Sequence, residues 1–252
     1  MIWKPLKFPE AFTVRRRLRT VSAAVTVIVL ALLFPWLLPA RAPAAGEAPS
    51  AADPATLRIL ERIRARETSL RTFSARFEQI QKSQLFEQIV RSEGIIHYDA
   101  RGKLLFRVTA PAPLWIIFDC GTIMIHDPEQ GRTRRRDVGS RQNLLKRYFG
   151  LGESLEELLR RFDIQAVENR PLPGVTLRMI PREDRLSKQV RLISADVDDK
   201  SWLPREIFIQ RSETEWSRIR LEFTRLDQPL PADAFDVPGI SAHPPAATKE
   251  RP

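Results

Sequence analysis

Near residue 70 the hydrophobic period of this chain changes from that of a helix to that of a strand, and the strand period holds through most of the remaining residues. Upstream, Leu57, Leu60, Ile63, Glu67 and Leu70 recur at helical spacing with arginines on the other face. That pattern predicts one amphipathic helix from about Thr56 to near Ser69. Downstream, Phe73, Ala75 and Phe77 alternate with Ser74, Arg76 and Glu78. Strand segments come in close succession at 85–98, 103–110, 113–119, 122–126 and 132–137, then at 163–169, 174–181, 189–197, 202–211 and 214–226. The breaks carry turn chemistry: Arg101-Gly102, Cys120-Gly121, Asp127 to Gly131, Pro171 to Gly174 and Asp198 to Ser201. Connections this short exclude parallel pairing, which needs crossovers of about a dozen residues or more. They predict an antiparallel meander of ten or eleven strands, an α+β and mainly β fold.

In the last strand Ile219, Leu221 and Phe223 share one face, while Arg218, Arg220 and Glu222 share the other. Such alternation predicts a sheet with one dry and one wet face. Strand 113–119 differs, because Leu114, Trp115, Ile116, Ile117 and Phe118 are apolar on both faces. Something apolar must cover each side there, either the helices or a ligand as well. A helical interruption is expected over 140–161. Ser140 can cap a short helix holding Leu144, Leu145, Tyr148 and Phe149, and Ser154 with Glu157 forms a capping box for Leu155 to Phe162.

The formal charge of +10 does not point to nucleic acid. Lys4, Lys7, Arg15, Arg16, Arg17, Arg19 and Arg41 stand against Glu10 alone in residues 1–44, and the remainder is close to balanced. A nucleic-acid domain concentrates its charge on one face. The same N-terminal segment reads as an export signal. Basic residues Arg15 to Arg19 precede an apolar run from Val21 to Leu38, and the small-x-small triplets Ala40-Arg41-Ala42 and Ala42-Pro43-Ala44 come after it. Cleavage after Ala44 is the preferred reading, since the first triplet would leave Pro43 as the new N-terminus. The alternative is an uncleaved anchor, because the run is close to the shortest membrane span. The expected organisation is a signal over 1–44, a linker over 45–55, one domain over 56–240 and a Pro/Ala-rich disordered tail over 241–252. Such a signal predicts an exported chain, membrane-anchored if the signal is not cleaved.

Signals for catalysis are poor. Cys120 is the only cysteine, so neither an intrachain disulfide nor a multi-cysteine metal site can form. His97 and His126 have no partner at metal-ligand spacing, and His243 lies in the tail. No Gly-x-Ser-x-Gly elbow or phosphate-cradling loop occurs. No catalytic residue, metal site or cofactor is expected.

Several motifs, in order, resemble the LolA-type outer-membrane lipoprotein carriers. They are Phe73-Ser74-Ala75-Arg76-Phe77-Glu78-Gln79, Gly94-Ile95-Ile96-His97-Tyr98, Leu104-Leu105-Phe106, Pro111, Asp119-Cys120-Gly121, Asp127-Pro128 and the closing Leu230-Pro231-Ala232-Asp233-Ala234-Phe235 with Pro238. The resemblance spans roughly residues 56–240. It implies an incomplete β-barrel of about eleven strands with a helical lid. It also implies a periplasmic carrier that takes lipoprotein or lipid acyl chains from an inner-membrane donor complex to an outer-membrane acceptor. The family's lid-holding arginine falls on Ala100 here, with Arg101 beside it as the possible gating residue.

Sheltering an acyl chain needs an apolar concavity rather than a catalytic group. Each buried CH₂ gains about 0.8 kcal/mol, so a chain of about sixteen carbons represents on the order of 10 kcal/mol. The expected lining is Phe77, Leu104, Phe106, Trp115, Ile117, Trp216, Ile219, Leu221 and Phe223 from the sheet, with Leu144, Tyr148 and Phe149 from the lid. The bland alternative is that these residues are ordinary core. Arg132, Arg134, Arg135 and Arg136 form the densest basic cluster outside the N-terminal segment. They read either as a solvated strand edge or as a contact for anionic headgroups or an acidic partner. A monomer is expected. The second function class is an envelope sensor or adaptor on the same fold, membrane-anchored and binding a protein.

Overall fold

The computed structural model describes residues 53–83, 89–119, 121–137, 154–168 and 173–237. The expected signal over 1–44, the disordered tail over 241–252, Cys120 and the expected lid residues Leu144, Tyr148 and Phe149 lie outside them.

Helix α1 spans Pro54–Ser69, two residues earlier than the apolar pattern alone indicates. The reason is local. Asp53 accepts hydrogen bonds from the backbone N–H groups of Ala55 (2.8 Å) and Thr56 (3.3 Å), and Pro54 takes the first helical position, where a missing N–H costs nothing. The Thr56 hydroxyl donates to Asp53 (2.9 Å) and accepts from the Ala166 N–H (3.2 Å), which ties the helix start to the sheet.

Eleven strands make up the sheet: β1 (Thr72–Lys82), β2 (Val90–Asp99), β3 (Lys103–Ala110), β4 (Leu114–Asp119), β5 (Thr122–Asp127), β6 (Arg132–Asp137), β7 (Phe162–Glu168), β8 (Val175–Pro181), β9 (Leu192–Val197), β10 (Pro204–Gln210) and β11 (Trp216–Leu226). Helix α2 (Leu155–Arg161) precedes β7, with the Ser154 hydroxyl accepting from the Glu157 N–H at 3.1 Å. A four-residue helix, α3 (Asp184–Ser187), departs from the sequence pattern. It delays β9 to Leu192, because Leu186 and Val190 bury themselves in a helical turn where a strand is expected.

All pairings are antiparallel, and the order is β6-β5-β4-β3-β2-β1-β11-β10-β9-β8-β7. The simple meander is therefore corrected in one respect. Two meanders, β1–β6 and β7–β11, meet at a β1–β11 seam. The chain leaves the sheet at Asp137 on one edge and re-enters at Phe162 on the opposite edge. The sheet remains open, as an incomplete barrel requires. Gly102 (φ 108°) and Gly121 (φ 99°) turn the β2–β3 and β4–β5 hairpins in a region that other residues rarely adopt.

Two-residue alternation gives the sheet two faces of different character. One carries a buried cluster of Phe77, Ile96, Tyr98, Leu104, Val108, Leu114, Ile116, Phe118 and Ile123 across β1 to β5, with Leu70 and Leu203 at its margins. On β7 to β9 the core is a second cluster, Phe162, Ile164, Val175, Leu177, Ala195 and Val197, against which Leu60 of α1 and Leu155, Leu158 and Leu159 of α2 pack. A third cluster lies on the reverse face of β3 to β5, where Leu105, Ile117 and Met124 meet Phe235 and Val237.

Candidate functional site

The apolar face centres on the seam. Phe77 stands opposite Leu221 on β11 and opposite Gly94 on β2, and Ile219 stands opposite Ile207 on β10. Leu104 is buried, while Phe106, Ile219, Leu221 and Phe223 are half-buried against the same cluster. Their rings meet edge-on: Phe77 and Phe106 have centroids 6.3 Å apart at 67°, and Phe73 and Phe223 5.4 Å apart at 76°. Edge-to-face contacts suit the ring quadrupole and leave faces exposed to a neighbour. Six of the nine expected sheet residues thus occupy one continuous apolar surface. α1 and α2 make their main sheet contacts with β7, so among the described residues the helical cover lies toward one edge.

Three expected residues face elsewhere. Trp115 and Ile117 belong to the reverse-face cluster, beneath Phe235 and Val237. β4 is apolar on both sides, so alternation could not say which side faced the larger apolar surface. The reverse side is covered by the C-terminal segment through Phe235 and Val237. Trp115 also lies under the Arg107 guanidinium (5.1 Å) and beside His126 (5.5 Å). Trp216 is corrected too. Its even number sets it opposite Lys82 and Gln210, on the face away from Ile219 and Leu221. There it packs on Phe208 (6.0 Å) under Arg218 (5.9 Å). The period-two pattern already carries that signal.

Arg101 sits in the β2–β3 turn. Its Nη2 lies 2.6 Å from Asp99 Oδ2 and its Nε 3.0 Å from Oδ1. Asp99 shares the reverse face with His97, so this guanidinium is bound to its own hairpin, away from the apolar surface. Arg132, Arg134, Arg135 and Arg136 are exposed on β6, which is an edge strand. Arg132, Arg134 and Arg136 stand opposite Asp127, Ile125 and Ile123, on the side of the apolar cluster. Arg135 faces the other way.

Two cavities open beside these residues. A groove of about 1000 Å³ is walled mainly by charges, among them Arg76, Glu78, Glu93, Glu206, Arg220 and Glu222, with Phe77 and Leu221 at its border. Within it Arg220 bonds Glu206 at 2.9 Å, and Arg76 approaches Glu222 at 3.9 Å. The charged residues meet Phe77, Ile95 and Leu221 in this groove, so it joins a polar rim to the edge of the apolar surface. A second cavity, of about 620 Å³, lies beneath the C-terminal segment between Arg107, Trp115, Ile117 and Phe235. Among the described residues no group of three or more His, Cys, Asp or Glu side chains could hold a metal ion, and no helix is long and apolar enough to cross a membrane.

The family model described as "Outer membrane lipoprotein carrier protein LolA" matches residues 68–238. The chain belongs to the LolA family. The match runs from the end of α1 through the closing segment that covers Trp115. Among solved structures, the chain resembles lipoprotein LppX of Mycobacterium tuberculosis, with 12% identity and a TM-score of 0.45, over 72% of this chain and 100% of that one. LprF of Mycobacterium bovis matches with 12% identity and a TM-score of 0.41, over 72% and 97%. The MucA/MucB complex of Pseudomonas aeruginosa matches with 15% identity and a TM-score of 0.40, over 68% of this chain and 58% of that one. No curated protein matches.

Proposed function

We propose that this LolA-family chain is a periplasmic carrier that shelters the acyl chains of lipoproteins or lipids on the apolar face of its open sheet. It would move them from an inner-membrane donor complex to an outer-membrane acceptor as a monomer. The observation that carries the reading is the continuous apolar surface at the centre of the sheet, with Phe77, Phe106, Ile219, Leu221 and Phe223 in one cluster. The described helices pack toward the β7 edge rather than over the seam. An alkyl chain laid along the seam would exchange water for these side chains, at about 25 cal/mol per Å² of apolar surface covered. The exposed arginines of β6 would meet anionic headgroups during loading or release. Binding and release of this kind need no catalytic residue, cofactor or metal.

One observation favours the adaptor reading. Val108, Ile116 and Leu104 are buried to 0%, 1% and 2% exposure, as in a filled core. The two readings separate on titration of the exported protein with a fluorescent fatty-acid analogue. The carrier reading predicts saturable binding that Leu221→Glu abolishes while far-UV circular dichroism is unchanged. Absence of binding by the folded protein would favour an adaptor whose ligand is a protein.

A further inference from the structure

A polar patch interrupts the apolar floor at one end of the seam. Gln79, Gln81, Ser92 and Ser217 are buried, with exposures of 4%, 7%, 4% and 3%. Gln79 stands opposite Ser92 on β2, and Gln81 opposite Ser217 on β11. Cross-strand partners share a face, and the two-residue period puts all four on the face of Phe77. Ile219 and Ile209, the partners of Gln79 and Ser217, complete the surroundings. The patch therefore continues the line of Phe77, Leu221 and Ile219 toward the β1–β2 and β10–β11 connections.

Its hydrogen bonding is incomplete. The Gln79 amide donates to Gln81 Oε1 at 3.5 Å, the outer limit of such a bond. The buried Ser217 hydroxyl has no partner among the described residues. Folded proteins retain few buried polar groups in that state, because each forfeits its bonds to water. The Ser217 hydroxyl is the unused donor, and the Gln81 amide opposite it and the Ser92 hydroxyl are further donor groups of the same patch. None of the four side chains is ionisable, so a phosphate would lose its hydration here without gaining a counter-charge. The set suits a neutral acceptor attached to alkyl chains, and an ester carbonyl is that group.

We propose that Gln81, Ser92 and Ser217 form a subsite that hydrogen-bonds the ester carbonyls of an acylglycerol whose alkyl chains lie along Ile219, Leu221 and Phe77. The subsite rests on the carrier reading and deepens it. It selects lipid by its ester linkage, which an apolar surface alone cannot do.

The test uses the full-length chain and three probes that compete with a fluorescent alkyl reporter. They are dipalmitoylglycerol, its dihexadecyl ether, which has the same chain length and no carbonyls, and a dipalmitoylglyceryl-cysteine lipopeptide. Both ester probes are expected to bind about tenfold or more tightly than the ether, as one or two added hydrogen bonds allow. The tighter of the two esters names the source, free glycerolipid or lipid-modified protein. Ser217→Ala is expected to weaken both esters about three- to tenfold and to leave the ether unchanged. It removes an unpaired buried hydroxyl, so its Tm should hold or rise. Equal affinity for esters and ether, or a Ser217→Ala loss shared by all three probes, overturns the subsite and leaves the carrier reading standing. If the folded protein binds none of the three, both fail together.

Discussion

Phe77 of β1 stands opposite Leu221 of β11 on one side and Gly94 of β2 on the other. It therefore belongs to both meanders at once. Its ring is 7% exposed and lies edge-on to Phe106. Phe77→Ala should cost about 3–5 kcal/mol, the range for truncating a buried aromatic. Urea denaturation would show it as a lower midpoint with an unchanged slope. A loss below about 1 kcal/mol would mean that the seam is not where the two halves are held.

Gly94 makes that arrangement possible. A Cβ at this position would meet the Arg107 carbonyl oxygen, and the Phe77 ring carbon Cε1 at 2.8 Å. The carbonyl is main chain in the neighbouring strand and cannot turn aside. Gly94→Ala should therefore destabilise by about 2 kcal/mol or more, although alanine is ordinarily the gentlest replacement. Melting temperature is a sufficient readout, and an unchanged value would contradict the close approach of β2 and β3.

Asp227 clasps the corner where α1 passes into β1. Its carboxylate accepts from Arg66 Nη1 and from the Arg71 N–H, each at 2.7 Å. Asp227 has φ 53°, in the left-handed region that Asp and Asn tolerate better than other non-glycine residues. The Arg71 N–H and the Arg66 guanidinium hold its carboxyl below the usual carboxylate range. A lowered folded value contributes stability that is complete above about pH 4 and is lost as pH falls through that folded value. Asp227→Ala should cost about 1–2 kcal/mol at neutral pH, and Asp227→Asn, which keeps the backbone preference and one acceptor, should cost less. The Asn variant should also lose less stability on acidification than the parent.

His97 adds a second acid-sensitive group, which acts at a higher pH than Asp227. It is buried on the reverse face, with Nδ1 2.9 Å from the Ser74 hydroxyl and its ring 6.4 Å from Phe235. Burial, and then the charge of Arg107, push its pKa below the usual value, while Asp233 opposes them weakly. The folded state therefore binds a proton less readily than the unfolded chain. Stability should be complete above about pH 6.5 and should fall as pH drops from there toward the lower folded value. His97→Asn keeps a hydrogen-bonding group near Ser74 and cannot titrate. Its chemical denaturation between pH 7 and 5 should show a flatter profile, and an equal slope would place the acid sensitivity elsewhere.

Much of this architecture is legible in the sequence where local chemistry decides it. β3 falls on 103–110 as expected, because Gly102 and the alternation of Leu104, Phe106 and Val108 fix both the turn and the face. Pairing of β1 with β11 is not legible, since nothing local links strands at opposite ends of a domain. Trp115 and Ile117 escape the pattern because β4 is apolar on both sides and the segment that covers them, Phe235 and Val237, is remote in sequence. Trp216 departs from expectation for a different reason: its aromatic character suggests the apolar face, while its parity with respect to Ile219 sets it on the other. Ser217 and Gln81 carry no signal because polar residues in a strand normally read as solvent-facing, and only the structure shows them buried.

The central claim is that the apolar face carries acyl chains, and the most direct measurement is native mass spectrometry of the protein expressed from the whole sequence and purified without detergent. The account predicts adducts whose masses match acylated lipids or lipopeptides on the parent protein, lost from Phe106→Glu and Leu221→Glu variants that keep the parent's circular dichroism spectrum. A parent protein that is folded and free of any acyl adduct, and that takes up none when mixed with lipid vesicles, would contradict it.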